Sequence, residues 1–214
     1  MEPYFWDKIF PSLFGTAAGA ALAFLAKSAQ DRRDQKKKQK AAAHSALFVL
    51  ALQSQYINGI QSQMKGSREE ASPQEVWWTH LEVYSFPPEF PMEDLGFLRT
   101  SSESNVLFKL IGSRNYLLKL SGLVSTLNEL KSAFKDAPFL QNSGIGMVSS
   151  PRSALHHEIK AHEKEFVATL EGADPVNAQA VSALTDALTK QFPGEIWELP
   201  VEASDAPRAR AERR

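Results

Sequence analysis

Eighteen consecutive residues without a charge, Ile9 to Ala26, run directly into a stretch, Lys27 to Lys40, that holds seven of the chain's 24 basic side chains and two of its 25 acidic ones. No other feature limits the fold so strongly. As a helix the uncharged run would extend roughly 27 Å, the lower end of what a bilayer's hydrocarbon core requires. Ile9, Phe10, Leu13, Phe14, Leu22, Phe24 and Leu25 supply its strong apolarity, and Ala, Gly, Ser and Thr fill most of the rest. Its flanks extend the argument: Tyr4, Phe5 and Trp6 cluster at one edge and bases crowd the other. Aromatic belts and cytoplasmic bases are the two topology signals of a membrane helix. These signals predict a single-pass anchor over residues 1–27, with the N-terminus outside and the remainder cytoplasmic. A basic juxtamembrane helix over 28–40 follows; Lys27 at the end of the anchor and Arg32, Arg33, Lys36, Lys37, Lys38 and Lys40 within that helix are suited to anionic lipid headgroups.

A cleaved signal peptide is the competing reading, because Ala26, Ser28 and Ala29 are small residues near a point where cleavage would fall. Against it, the leader carries Glu2 and Asp7 beside a single Lys8, whereas a signal begins with bases, and the downstream bases resist translocation. Within the run Gly15 and Gly19 form G-x-x-x-G, a spacing that lets two helix backbones come into contact. These two are the candidate positions for self-association in the membrane.

Beyond the bases, residues 41–198 read as an all-α bundle of about four helices, continuous with the anchor helix. No Gly or Pro occurs from Ala20 through Asn58, so one helix is expected to run from the anchor into the bundle. Ala43, Leu47, Leu50, Ser54, Ile57, Gln61 and Met64 recur at alternating steps of four and three, with Phe48, Val49, Leu52, Tyr56 and Ile60 widening that face. Gly66 and Ser67 are expected to stop it. "SPQE" at Ser72 to Glu75 matches a capping box and predicts a short helix with Trp77, Trp78 and Leu81. "FPPEFP", Phe86 to Pro91, imposes an extended connection before a brief helical turn at Met92 to Leu98.

A second long helix is expected from a cap at Ser101 or Ser102 to about Ala137, with Leu107, Leu110, Leu117, Leu120, Val124, Leu127 and Phe134 on one stripe. A third is expected over Pro151 to Glu171, ended by Gly172. A fourth would begin at Asp174 and Pro175 and end at Pro193 and Gly194. Residues 199–214, rich in Pro, Glu, Ala and Arg, read as a flexible tail.

Composition narrows the chemistry. With no cysteine in 214 residues, disulfides, thiolate zinc sites and a thiol nucleophile are all excluded. Outside Lys27 to Lys40 the chain is acidic by about six charges. That argues against a nucleic-acid partner for the bundle. "HHEIKAHEKE", His156 to Glu165, is the one stretch with metal-ligand character. However, His157 and His162 lie about 140° apart on a helix, so they do not form the i, i+4 pair of a zinc helix. Glu158 and His162 do share a face and stand as weak candidate metal ligands. Arg114, between Leu110 and Leu117 on the apolar stripe, needs a carboxylate partner or an exit to water, and is a candidate buried ion pair. Trp77, Trp78, Phe86 and Phe90 form a candidate partner surface, or else a hydrophobic cap on the bundle.

No phosphate-binding loop, dinucleotide glycine pattern or G-x-S-x-G is present, so an enzyme is not expected, and neither is a cofactor or small-molecule substrate. The expectation is a membrane-anchored helical interaction or scaffold protein whose partners are membrane lipid and another protein or itself. The alternatives are an oligomeric membrane effector or pore with a sensing bundle, and a metal-dependent helical enzyme using Glu158 and His162. The layout resembles that of small bacterial inner-membrane proteins, which implies that location.

Overall fold

A computed structural model describes residues 4–70, 80–82, 86–99, 105–137 and 151–200, with side chains from residue 17 to 66 in the first helix. Among these residues the protein is all-helical. Its elements are α1 (Tyr4–Glu70), a short 3-10 helix (Asp94–Arg99), α2 (Asn105–Asp136) and α3 (Pro151–Gln191). The chain divides into two compact units, Met1–His44 and Ser45–Arg214. The short helix expected around Trp77 and Trp78, the caps at Ser101 and Ser102, and the tail beyond residue 200 lie outside the described residues.

In the first unit, the described side chains from Ala17 to Lys38 are exposed apart from a half-buried Ser28. The helix spans the uncharged run and continues into the second unit, as the absence of breakers from Ala20 through Asn58 predicts. Among the described residues, no helix is long and apolar enough to cross a membrane. The described side chains of the run are those from Ala17 to Ala26, and much of that stretch is alanine. Ten residues of helix rise only about 15 Å, half of a hydrocarbon core. A transmembrane segment is therefore not supported by the described residues.

In the second unit, the spacing of α1 does what its apolar period demands: Leu47, Leu50, Ile57, Ile60 and Met64 are buried, whereas Phe48, expected to widen that face, is exposed, because it stands about 140° around the helix from the stripe. One continuous cluster joins Tyr56, Ile57, Ile60 and Met64 of α1 with Leu117, Leu120, Val124 and Leu127 of α2, and with Phe166 and Leu170 of α3. Each fully buried Leu or Ile contributes roughly 1.5–3 kcal/mol, so the three-helix core is the dominant stabilising term of this unit.

Two expected boundaries are absent. α1 continues past Gly66 to Glu70, and the expected third and fourth helices are one, α3, with Gly172 and Pro175 inside it. Gly172 serves packing rather than termination, since a Cβ there would collide with the Tyr116 hydroxyl of α2. Pro175 has no N–H to give to the carbonyl of Glu171, a defect of about 3 kcal/mol that the packed core on both sides of it must outweigh. The true end of α3 lies where the sequence places it. Pro193 follows the last turn, and Gly194 takes a φ of +90°, a conformation costly for residues with a Cβ. The expected turn at Met92 to Leu98 is the 3-10 helix, which buries Leu95 and Leu98.

Candidate functional site

Between α1 and the 3-10 helix, Leu81 and Glu82 are tied down by side chains from both long neighbours. Asn128 of α2 accepts from the Leu81 N–H at 3.1 Å and donates to the Leu81 carbonyl at 2.9 Å. Gln63 of α1 does the same for Glu82, at 2.8 and 3.4 Å. Two carboxamides thus serve the backbone polar groups of Leu81, which is buried and requires partners, and of Glu82, which is exposed.

Arg114 fastens the proline-rich part that follows. Its guanidinium lies 2.6 Å from Glu89, donates to the Pro88 carbonyl at 3.2 Å and sits 5.8 Å from the centre of the Phe86 ring. The carboxylate is 83% exposed and the arginine side chain 20%, so the pair lies at the edge of the core and is not buried as an ion pair. Its partner in sequence is 25 residues away; the arginine's need for a carboxylate was legible, but the identity of Glu89 was not.

Of the aromatic quartet, Trp77 and Trp78 lie outside the described residues. Phe90 is buried, and Phe86 is half-buried, with its ring 6.0 Å from Tyr56 in an edge contact. What the structure shows of this stretch is a closure of the core. Beside it a groove of about 510 Å³, lined by Leu52, Gln55, Tyr56, Phe86, Pro87 and Pro88, opens to solvent.

Between the three helices lies a polar layer that sequence reasoning did not single out. Gln53, Ser113 and Asn177, one from each helix, are all buried. Asn177 donates from Nδ2 to the Leu50 carbonyl at 3.2 Å and to the Ser54 hydroxyl at 2.7 Å. Ser113 Oγ is 2.7 Å from Gln53 Oε1 and 3.1 Å from Asn177 Oδ1, while Gln53 Nε2 is buried without a partner. One hydroxyl proton cannot serve two acceptors. Turning the Gln53 amide lets its NH₂ donate to Ser113, whose proton then goes to Asn177. The signal for this layer was present as Ser54 on the apolar stripe of α1 and as Ser113 beside Arg114.

Lys131 is a second missed feature. It is buried on α2, and its ammonium is pushed down to about 8, first by burial, with Glu163 opposing the shift and Lys135 adding to it. Lys119 and Glu165 pair at 2.8 Å across α2 and α3 near the surface; their hydrogen bond holds the ammonium above and the carboxyl below their usual ranges.

The weak metal candidates are not brought to a ligand set. Glu158 is exposed, and His162 is half-buried with Nδ1 unpartnered. Among the described residues no group of three His, Asp or Glu is placed to hold an ion. In the first unit Gly19 has open space around it, Gly15 has its surroundings outside the described residues, and Lys27, Arg32, Arg33, Lys36, Lys37 and Lys38 are exposed with Lys40 half-buried. Lys37 meets Asp34 at a loose 3.9 Å. No protein-family model, curated protein or solved structure matches the chain.

Proposed function

We propose that the protein is a membrane-anchored helical interaction protein, whose N-terminal helix inserts with its N-terminus outside and whose bundle meets another protein on the cytoplasmic side. The observation that carries this reading is the state of Leu22, Phe24 and Leu25. They are 67%, 73% and 62% exposed, immediately before a run of exposed bases. Three large apolar side chains within four residues gain nothing from water, whereas in lipid each is favourable and the adjoining bases meet anionic headgroups. Gln53, Ser113, Asn128 and Asn177 support an interaction role, because these buried polar side chains bind one another or the backbone and so serve the packing of the bundle.

Alkaline carbonate washing of membranes tests the reading. The full-length protein is expected to stay in the pellet, and recovery in the supernatant would contradict it. A C-terminal alkaline phosphatase fusion is expected to be inactive, and an active one would reverse the orientation.

A further inference from the structure

The bases of the first unit are not spread evenly around α1. At about 100° per residue, Arg32, Arg33 and Lys36 lie within about 60° of the direction of Ala29, and so do Leu22 and Leu25 before it. All six are exposed. Between Ala17 and Lys40 both acids, Asp31 and Asp34, lie on the opposite side, where Lys27 and Lys38 balance them. One side of the helix therefore passes from apolar to basic with no carboxylate on it, while the other is neutral beyond the apolar run. Lys37 sits on the flank between the two, 3.9 Å from Asp34.

We propose that the acid-free side of α1 is the face that meets an anionic membrane. The helix leaves the bilayer leaning toward it, so that Leu22 and Leu25 enter lipid and Arg32, Arg33 and Lys36 lie along the headgroups. This deepens the membrane-anchored reading and rests on it.

The rise of the helix is what calls for a lean. Lys36 stands roughly 16 Å beyond Leu25 along the axis, whereas the headgroup layer is only about 5–7 Å deep. On an upright helix the far bases clear the lipid, and the ordinary topology signal asks only that bases follow the span, on any side. Membrane helices lean by up to about 40°, which lowers one side toward the headgroups and lifts the other. Here the side free of carboxylate is the one an anionic leaflet attracts, and Asp31 and Asp34 stand where the lean carries them away from it. Continuity selects lipid over another polyanion. The two leucines at the head of the same side are 67% and 62% exposed, and apolar surface of that kind gains from acyl chains and nothing from a nucleic-acid backbone.

Because the chain has no cysteine, a single fluorophore at Lys36→Cys or at Lys38→Cys in the full-length protein reads the lean directly. Each variant loses one lysine, and the two positions, neighbours in depth, are about 160° apart around the helix. In phosphatidylcholine vesicles with about one-third phosphatidylglycerol and a headgroup-attached quencher, the Lys36→Cys probe is expected to be quenched at least about threefold more than the Lys38→Cys probe. The difference should vanish in phosphatidylcholine alone. It should fall by at least about twofold when Arg32→Glu is added and survive Lys27→Glu, which makes the same change of charge on the far side. Equal quenching at the two positions in anionic vesicles, a difference indifferent to lipid charge, or equal effects of the two glutamates would overturn the proposal. So would duplex DNA shielding the Lys36→Cys probe where anionic vesicles do not, which would assign the face to nucleic acid. Carbonate extraction of the same vesicles reports anchoring separately: an anchored chain with equal probes overturns the lean alone, and a chain that washes free overturns both.

Discussion

Leu25 and Leu50 stand on the same helix and have opposite surroundings: the first is 62% exposed, the second fully buried. In the first unit Leu22, Phe24 and Leu25 crowd into four positions beside a block of bases. In the second, Leu47, Leu50, Ser54, Ile57, Gln61 and Met64 are spread at steps of three and four. Helical conformation is common to both segments. Only the second has the period that lets a helix bury one face against two others, so apolar content without that spacing leaves the side chains exposed.

The largest expected effect sharpens this contrast. Leu50→Ala should destabilise the full-length protein by about 2–5 kcal/mol through lost burial and a residual cavity. Leu25→Ala should change it by less than about 0.5 kcal/mol. Equal costs in denaturant unfolding would break the comparison by showing that the first unit is packed as the second is.

Next in size is the polar layer. Asn177→Ala removes donors to Leu50 and Ser54 and leaves Ser113 short of an acceptor, an expected loss of about 1–3 kcal/mol. A cost below about 0.5 kcal/mol would mean that the layer is not closed around Asn177.

Lys131 gives a smaller, pH-dependent effect. Its folded ammonium titrates at about 8 against 10.5 for an ordinary lysine. Below about pH 8 both states are charged and the cost of burial is fully present. Between about 8 and 10.5 the unfolded chain binds more protons, so stability rises with pH and then levels off. Lys131→Met should therefore stabilise by on the order of 1 kcal/mol at pH 7, an amount discounted for the solvent its ammonium reaches. The gain should shrink toward pH 10; a gain independent of pH would show packing, not charge, at work.

Smallest is the edge pair. Glu89→Gln should cost less than about 1 kcal/mol, because its carboxylate is mostly in water. A larger loss would make the Arg114 clamp a structural centre of the second unit.

The fold was legible where a residue's role follows from spacing. The stripes of α1 and α2, the turn before α2, and the stop at Pro193 and Gly194 all rest on local physics that the chain carries with it. The misreadings at Gly172 and Pro175 share another cause. Each is a poor helix residue whose local preference was outweighed by tertiary packing, and for Gly172 the deciding neighbour, Tyr116, is 56 residues away in sequence. Gly66 is exposed with open space around it, and nothing in the structure explains why the helix continues through it. The candidate sites fared differently again. Arg114 announced its need for a partner, but Glu89, the amide brackets on Leu81 and Glu82, and the layer of Gln53, Ser113 and Asn177 all depend on which helix faces come together. No spacing within one segment encodes that.

The central claim is that the exposed apolar side chains of the first unit face lipid, and the most direct test is to charge that face and follow the protein through carbonate extraction. Ala18→Asp with Leu22→Asp places two carboxylates within the uncharged run, each costing about 3 kcal/mol at the centre of a membrane helix. The account predicts that the native chain stays in the membrane pellet and the double variant moves to the supernatant with its helical content retained. A native chain that washes free, or a double variant that remains in the pellet, would contradict it.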